Sequence, residues 1–175
     1  MTITDLHANY ELQNGDRTVR FSGWKLAHAT SREGDEIRWT EVSIYRTLAG
    51  QYALHRVGMS RVFHDAANPG RVTNGKRLSA RTVLTLESDV FDELFADPVT
   101  LPGDPEPTQF SQGIILEQPR HTVLTAKDAE GLVEVAYNVD NDRVRFLTKV
   151  AERALRAASI ADKSIHDAFM VETLS

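Results

Sequence analysis

Between Tyr10 and Val57 the chain carries three glycine turns, each flanked by stretches in which apolar and polar residues alternate. Asn14-Gly15 stands between "YELQ" and "RTVRF", Gly34-Asp35 follows "RTVRFSGWKLAHA", and Gly50 separates 36–48 from 51–57. A period of two places successive side chains on opposite sheet faces, and short turns return each strand beside the one before it. The pattern predicts an antiparallel meander of four or five strands, built largely from residues 7–86. The long second strand is expected to break or bulge at Gly23, and 60–64 to continue the last strand past a bulge at Gly58.

Beyond this meander the punctuation changes. "DAANPGRVTNGKRLSA" has turn residues and no period, "ARTVLTL" is a further candidate strand, and Ser88 can cap a short helix over "DVFDELFA". Four prolines then fall in "DPVTLPGDPEP", so 97–108 is expected to be a proline-rich loop or linker. "GIILEQPRHTVLTA" and "GLVEVAYNV" read as two more strands, a hairpin over 109–139. From 143 to 174 the apolar spacing turns helical: Val144, Leu147, Val150, Ala151, Ala154, Leu155 and Ala158 share one face, and Ile165, Ala168, Phe169 and Met170 form a second stripe. Asp140 or Asp142 can cap that helix, with Asn141 in the turn. The fold class expected is α+β in a single domain, an antiparallel meander sheet or partial barrel with C-terminal helices packed on it.

Composition narrows the functional classes. Hydrophobic residues at 41% and charged residues at 26% belong to a globular protein with a real core. There is no cysteine, which excludes disulfides, thiolate metal ligands and a thiol nucleophile, and a cytoplasmic setting is the expectation. The N-terminal stretch carries no basic-then-apolar secretion pattern, and no apolar run is long enough to span a bilayer, so no membrane partner is expected. The net charge of −5 divides unevenly, +4 over residues 1–85 and −9 over 86–175. Such a split suits an anionic partner for the first half, or contacts between copies.

Three sets of residues are candidates for chemistry. If 48–50 form a three-residue loop with Gly50 left-handed, Val42, Ile44, Tyr52 and Leu54 share a buried face. Glu41, Ser43, Tyr45 and His55 then share the opposite, polar face, with Ser43 across from His55. Ser, His and a carboxylate together suggest nucleophilic catalysis, yet a flat strand offers no oxyanion hole, so this face is expected to meet water or a partner. The second set is basic: Arg46, Arg56, Arg61, Arg71, Lys76 and Arg77, with Tyr45, Tyr52 and Phe63 among them, the kind of surface that holds phosphates and stacks bases. The third is metal, for which no ligand set is expected: the six histidines lack ligand spacing, and "VDNDRV" lacks the glycine and glutamate of a calcium loop. No glycine-rich phosphate loop is present, and no cofactor is expected.

The hairpin also carries a likeness. "FSGWKLAHA" followed by "EVSIYRTLAGQYALH", with Tyr45, Arg46, Thr47 and Gly50, resembles the strand–strand–hairpin of small bacterial proteins named for an E-x-L-D-I signature. Glu172-Thr173-Leu174 supplies E-x-L near the C-terminus and Ser175 follows. The resemblance implies no catalytic residues, since that family has no assigned activity. The leading expectation is a small non-enzymatic binding or adaptor protein that self-associates. A nucleic-acid accessory protein using the arginine-rich hairpin is the first rival, and a small hydrolase or isomerase with His55 or His64 as general base is the second.

Overall fold

Gly15 turns the chain with φ +58°, and this turn begins the sheet. In the computed structural model of the protein, residues 6–34, 36, 38–60, 63–65, 72–73, 76–77, 97–100, 107–110, 114–116 and 118–171 are described, those from 63 to 116 as backbone strands. They divide into two compact units, one of residues 1–31, 40–58 and 120–175, the other of 32–39 and 59–119.

The first unit holds the five-stranded antiparallel sheet, in the order β1 (Ala8–Asn14), β2 (Arg17–Thr30), β3 (Arg38–Thr47), β4 (Tyr52–Ser60) and β11 (Arg120–Ala126). The predicted meander over the glycine turns is present, with changes in detail that have physical causes. Asn14 pairs with Arg17, so Gly15 and Asp16 make the two-residue loop and only Gly15 is left-handed, a glycine-first turn. Asn14 is thereby the last strand residue, which frees its carboxamide for a tertiary bond. Gly50 has φ +81°, and its N–H donates to the Thr47 carbonyl at 2.9 Å, closing the expected three-residue loop.

The bulge in β2 lies between Lys25 and Ala27, not at Gly23. Gly23 serves a different need: a Cβ there would sit 2.0 Å from the Arg46 carbonyl oxygen, so only glycine lets β3 lie this close. At Gly58 there is no break either, since β4 runs unbroken to Ser60 and Gly58 pairs with Arg120.

The sheet curls into a half-barrel. At one end its two edge strands meet: the Gly15 N–H donates to the His121 carbonyl, and the Val123 N–H donates to Asn14 Oδ1, each at 3.0 Å. Leu12, Tyr45, Ala53 and Val123, with Tyr10, Val19 and Phe21 packed on them, draw on all five strands and fill the inside of the curl. The other face buries Ala27, Val42, Ile44, Tyr52 and Leu54 against three helices.

Those helices are α1 (Ala129–Ala136), α2 (Lys149–Ala161) and α3 (Lys163–Met170). "GLVEVAYNV", expected as a strand, is mostly α1. Asp128 caps it by accepting from the Gly131 N–H, and Ala129, Leu132 and Ala136 repeat at helical spacing and are buried. The long C-terminal helix starts later than its apolar period suggested. Asp140 does not cap it; its Oδ1 accepts from the Asp142 and Val144 N–H groups and turns a small hairpin of β12 (Asn138–Val139) and β13 (Arg145–Phe146). Thr148 is the cap of α2, and Val144 is left exposed. Asp162 ends α2 and caps α3, whose Ile165 is fully buried.

The second unit contains two-stranded pairings: β5 (Phe63–Asp65) with β10 (Ile114–Leu116), β6 (Val72–Thr73) with β7 (Lys76–Arg77), and β8 (Asp97–Thr100) with β9 (Pro107–Phe110). The proline-rich 97–108 is therefore partly strand. Two-stranded ribbons have only edges, where proline is tolerated. In 32–39, the Arg32 guanidinium stacks over the Trp39 ring at 4.5 Å. The expected strand "ARTVLTL", the helix capped by Ser88 and the Glu172–Ser175 end lie outside the described residues. Among the described residues no helix is long and apolar enough to cross a membrane.

Candidate functional site

The face carrying Glu41, Ser43, Tyr45 and His55 is the inside of the half-barrel, and its centre is apolar. Tyr45 is buried against Tyr10 and Phe21, ring centres 4.8 and 5.5 Å away, and burial raises its pKa above the ordinary tyrosine value. Ser43 is also buried, and its partner is His28 rather than His55: β2 pairs His28 with Ser43, and Nδ1 and Oγ are 2.9 Å apart. Glu41 lies opposite Thr30 in the same register.

His55 pairs instead with His121. Strand β11 places Val123 opposite His55 and His121 diagonal to it, with His55 Nε2 and His121 Nδ1 3.1 Å apart. The ring planes lie within 17° and the centres are 5.3 Å apart, farther than the nitrogens. The rings therefore meet edge to edge through their nitrogens, one donating N–H and the other accepting, which both neutral imidazoles can do. Burial first, then the positive charges possible on His121 and Lys25, lowers the His55 pKa. The Ser–His–carboxylate grouping is thus split into two separate pairs. Ser43 Oγ is held between His28 and Tyr45, and His55 Nε2 faces another imidazole rather than a serine or a carboxylate. His28 and His121 came from strands whose register no local pattern reveals.

The basic set is also dispersed. Arg56 is half-buried, donating to Asn138 Oδ1 at 2.7 Å and to the Ala136 carbonyl at 3.3 Å, where it ties β4 to the end of α1; burial lowers its pKa. Arg46 donates to Asp162 Oδ2 at 3.1 Å. Lys76 and Arg77 fall on β7, and Arg61 and Arg71 lie outside the described residues. Among the described residues no group of three or more His, Asp or Glu side chains is placed to hold a metal ion.

Arg46 leads to a site that sequence reasoning did not find. A cleft of about 400 Å³ is lined by Trp24, Leu26, Arg46, Thr47, Leu48, Gly50, Ala161 and Asp162. Trp24 and Arg46 are direct cross-strand partners on β2 and β3, so their side chains stand together on one face. The junction of α2 and α3 brings Asp162 to them. Its carboxylate is saturated: Oδ2 accepts from Arg46 and, at 2.9 Å, from the Tyr52 hydroxyl, while Oδ1 accepts from the Ser164 and Ile165 N–H groups. The burial of Tyr52, and then this carboxylate, raise the Tyr52 pKa.

Arg46 keeps 43% of its side chain exposed and has the rest of its N–H fork to offer. Among the described residues, the indole N–H of Trp24 is buried without a hydrogen-bond partner. Such orphans are uncommon in folded proteins and call for an explanation.

No family model matches this chain, and neither a curated protein nor a solved structure does.

Proposed function

We propose that this chain is a small non-enzymatic binding protein whose ligand seat is the cleft beside Trp24, Arg46 and Asp162. The observation that carries the reading is the half-exposed Arg46 guanidinium, held by a buried carboxylate, on the wall of a cleft that Leu26, Leu48 and Ala161 also line. A ligand acceptor can take the guanidinium N–H groups that Asp162 leaves, and the volume is in the range of small-molecule sites. Self-association and a cytoplasmic setting belong to the same reading. Val139, Val144 and Phe146, exposed on the β12–β13 hairpin, supply apolar surface that supports self-association.

The two rival readings have less to stand on. Arg56, one of the cations that a nucleic-acid surface would use, is half-buried and committed to internal partners. A histidine general base works beside a group that orients it, commonly a carboxylate, and the side-chain partner of His55 is another imidazole.

The test is a two-dimensional ¹⁵N–¹H NMR spectrum of the full chain recorded against a mixed library of small organic acids, amides and alcohols. The two tryptophans give two indole signals. Binding at the cleft moves that of Trp24 together with the Leu48 and Ala161 amides and leaves Trp39 in place. A library that moves only signals around His55 and His121, or none, refutes the reading.

A further inference from the structure

We infer that the cleft selects an organic carboxylate on an apolar body; this rests on the binding reading above and adds the ligand's chemistry to it. The inference follows from counting donors and acceptors on the cleft wall. All four hydrogen bonds that the Asp162 carboxylate can accept are made within the protein. The Thr47 hydroxyl already accepts from the Gln51 N–H, so its remaining capacity includes a proton to donate. Arg46, 43% exposed, offers the part of its fork that Asp162 does not take.

The polar side chains of the wall therefore present donors to the cleft, and a ligand group that answers them is an acceptor. Arg46 further favours a charged, two-oxygen acceptor. A guanidinium binds carboxylates through two parallel N–H bonds, and bonds to an ionised acceptor are about twice as strong as neutral ones. The rest of the lining, Leu26, Leu48 and Ala161, is apolar. It calls for a hydrocarbon or ring body behind the carboxylate and gives a bare inorganic anion nothing to bury. The guanidinium is fixed before binding by its bond to a buried carboxylate. Little ordering is left for the ligand to impose.

The experiment follows the Trp24 indole signal of the full chain, at about pH 7.5 where a carboxylic acid is ionised, against three probes. They are 4-methylpentanoate, its neutral amide 4-methylpentanamide, and inorganic phosphate at matched ionic strength. The acid is expected to move the signal to saturation, with the amide and phosphate each at least about tenfold weaker. Arg46→Lys, which retains a cation for Asp162 and loses the fork, weakens the acid by about tenfold while the Trp39 indole signal stays in place. If that variant fails to fold, Leu48→Glu at a half-exposed position of the lining sets a like charge beside the acid, and the Trp24 indole signal and the Ala161 amide report the same loss.

An amide that binds as tightly as the acid overturns the carboxylate assignment and leaves the binding cleft standing. Phosphate binding as tightly as the acid does the same. If none of the probes moves the Trp24 signal or the Leu48 and Ala161 amides at millimolar concentration, the carboxylate assignment falls. The binding reading falls with it only when the wider library is silent at these signals too.

Discussion

The side-chain oxygen of Asn14, at the tip of the first hairpin, accepts the backbone N–H of Val123 at 3.0 Å, across a sequence separation of 109 residues. Together with the neighbouring bond from Gly15 N–H to the His121 carbonyl, it joins the first strand of the sheet to the last and holds the curl. An edge strand that would otherwise end in solvent is thereby closed at this end. Asn14→Ala leaves the Val123 N–H without its acceptor at a half-buried site, and is expected to cost roughly 1–2 kcal/mol. Urea denaturation measures the loss, and faster hydrogen exchange at the Val123 amide locates it. Asn14→Asp, which keeps an accepting oxygen, recovers most of the stability.

Gly23 and Gly50 are predicted to respond to alanine very differently, because they are glycine for different reasons. At Gly50 the φ of +81° strains an alanine but the space around it is open, so the cost is about 1–2 kcal/mol. At Gly23 the new Cβ meets the Arg46 carbonyl at 2.0 Å and backbone must move, separating β2 from β3. A loss of more than about 3 kcal/mol, or failure to fold, is expected there. Thermal melts of the two variants side by side decide it, and equal losses refute the close-approach argument.

Asp162 holds Arg46 and Tyr52 of the sheet and the first turn of α3 at once. Asp162→Ala removes the helix cap, worth about 1 kcal/mol, and strands the buried Tyr52 hydroxyl, worth a further 1–3 kcal/mol or so. Arg46 is too exposed to add much. Asp162→Asn keeps an oxygen for the cap and is expected to lose roughly half as much. Urea midpoints provide the ranking. In the same variants the Tyr52 hydroxyl, freed from a carboxylate that raises its pKa, titrates at lower pH.

The His55–His121 pair makes stability depend on pH. His55 has a folded-state pKa below the ordinary value of 6.5. Its contribution is fully present above that value and is lost as pH falls through the lower folded value, because the unfolded chain then binds the proton more readily. Protonation of both rings leaves two donors facing each other with no acceptor. The urea midpoint is therefore expected to drop between about pH 7 and pH 5, and His55→Gln, which has no proton to gain, flattens that drop. An unchanged slope in the variant locates the pH dependence elsewhere.

Much of the meander was legible in the residues because alternation and turn chemistry are local. Val42, Ile44, Tyr52 and Leu54 could be assigned to one buried face from spacing and the Gly50 turn alone. The helical stripe of α2 was equally plain from Val150 to Ala158. Errors came where two local signals competed. "GLVEVAYNV" alternates well enough for a strand, yet Asp128 capping and burial of Ala129, Leu132 and Ala136 on one helical face prevailed. At Asp140 the same side chain could cap a helix or close a turn, and the pairing of Asn138 with Phe146 decided for the turn.

The sequence by itself determined which segments alternate, where the chain reverses and which faces are apolar, since these depend on residues a few positions apart. Only the tertiary structure decided that Ser43 meets His28, that His55 meets His121, and that Trp24, Arg46 and Asp162 share one cleft. Each of those meetings depends on strand register, on the one-residue bulge between Lys25 and Ala27, or on where a helix ends against the sheet. A one-residue slip in any of them turns a side chain to the other face, and no local pattern records it.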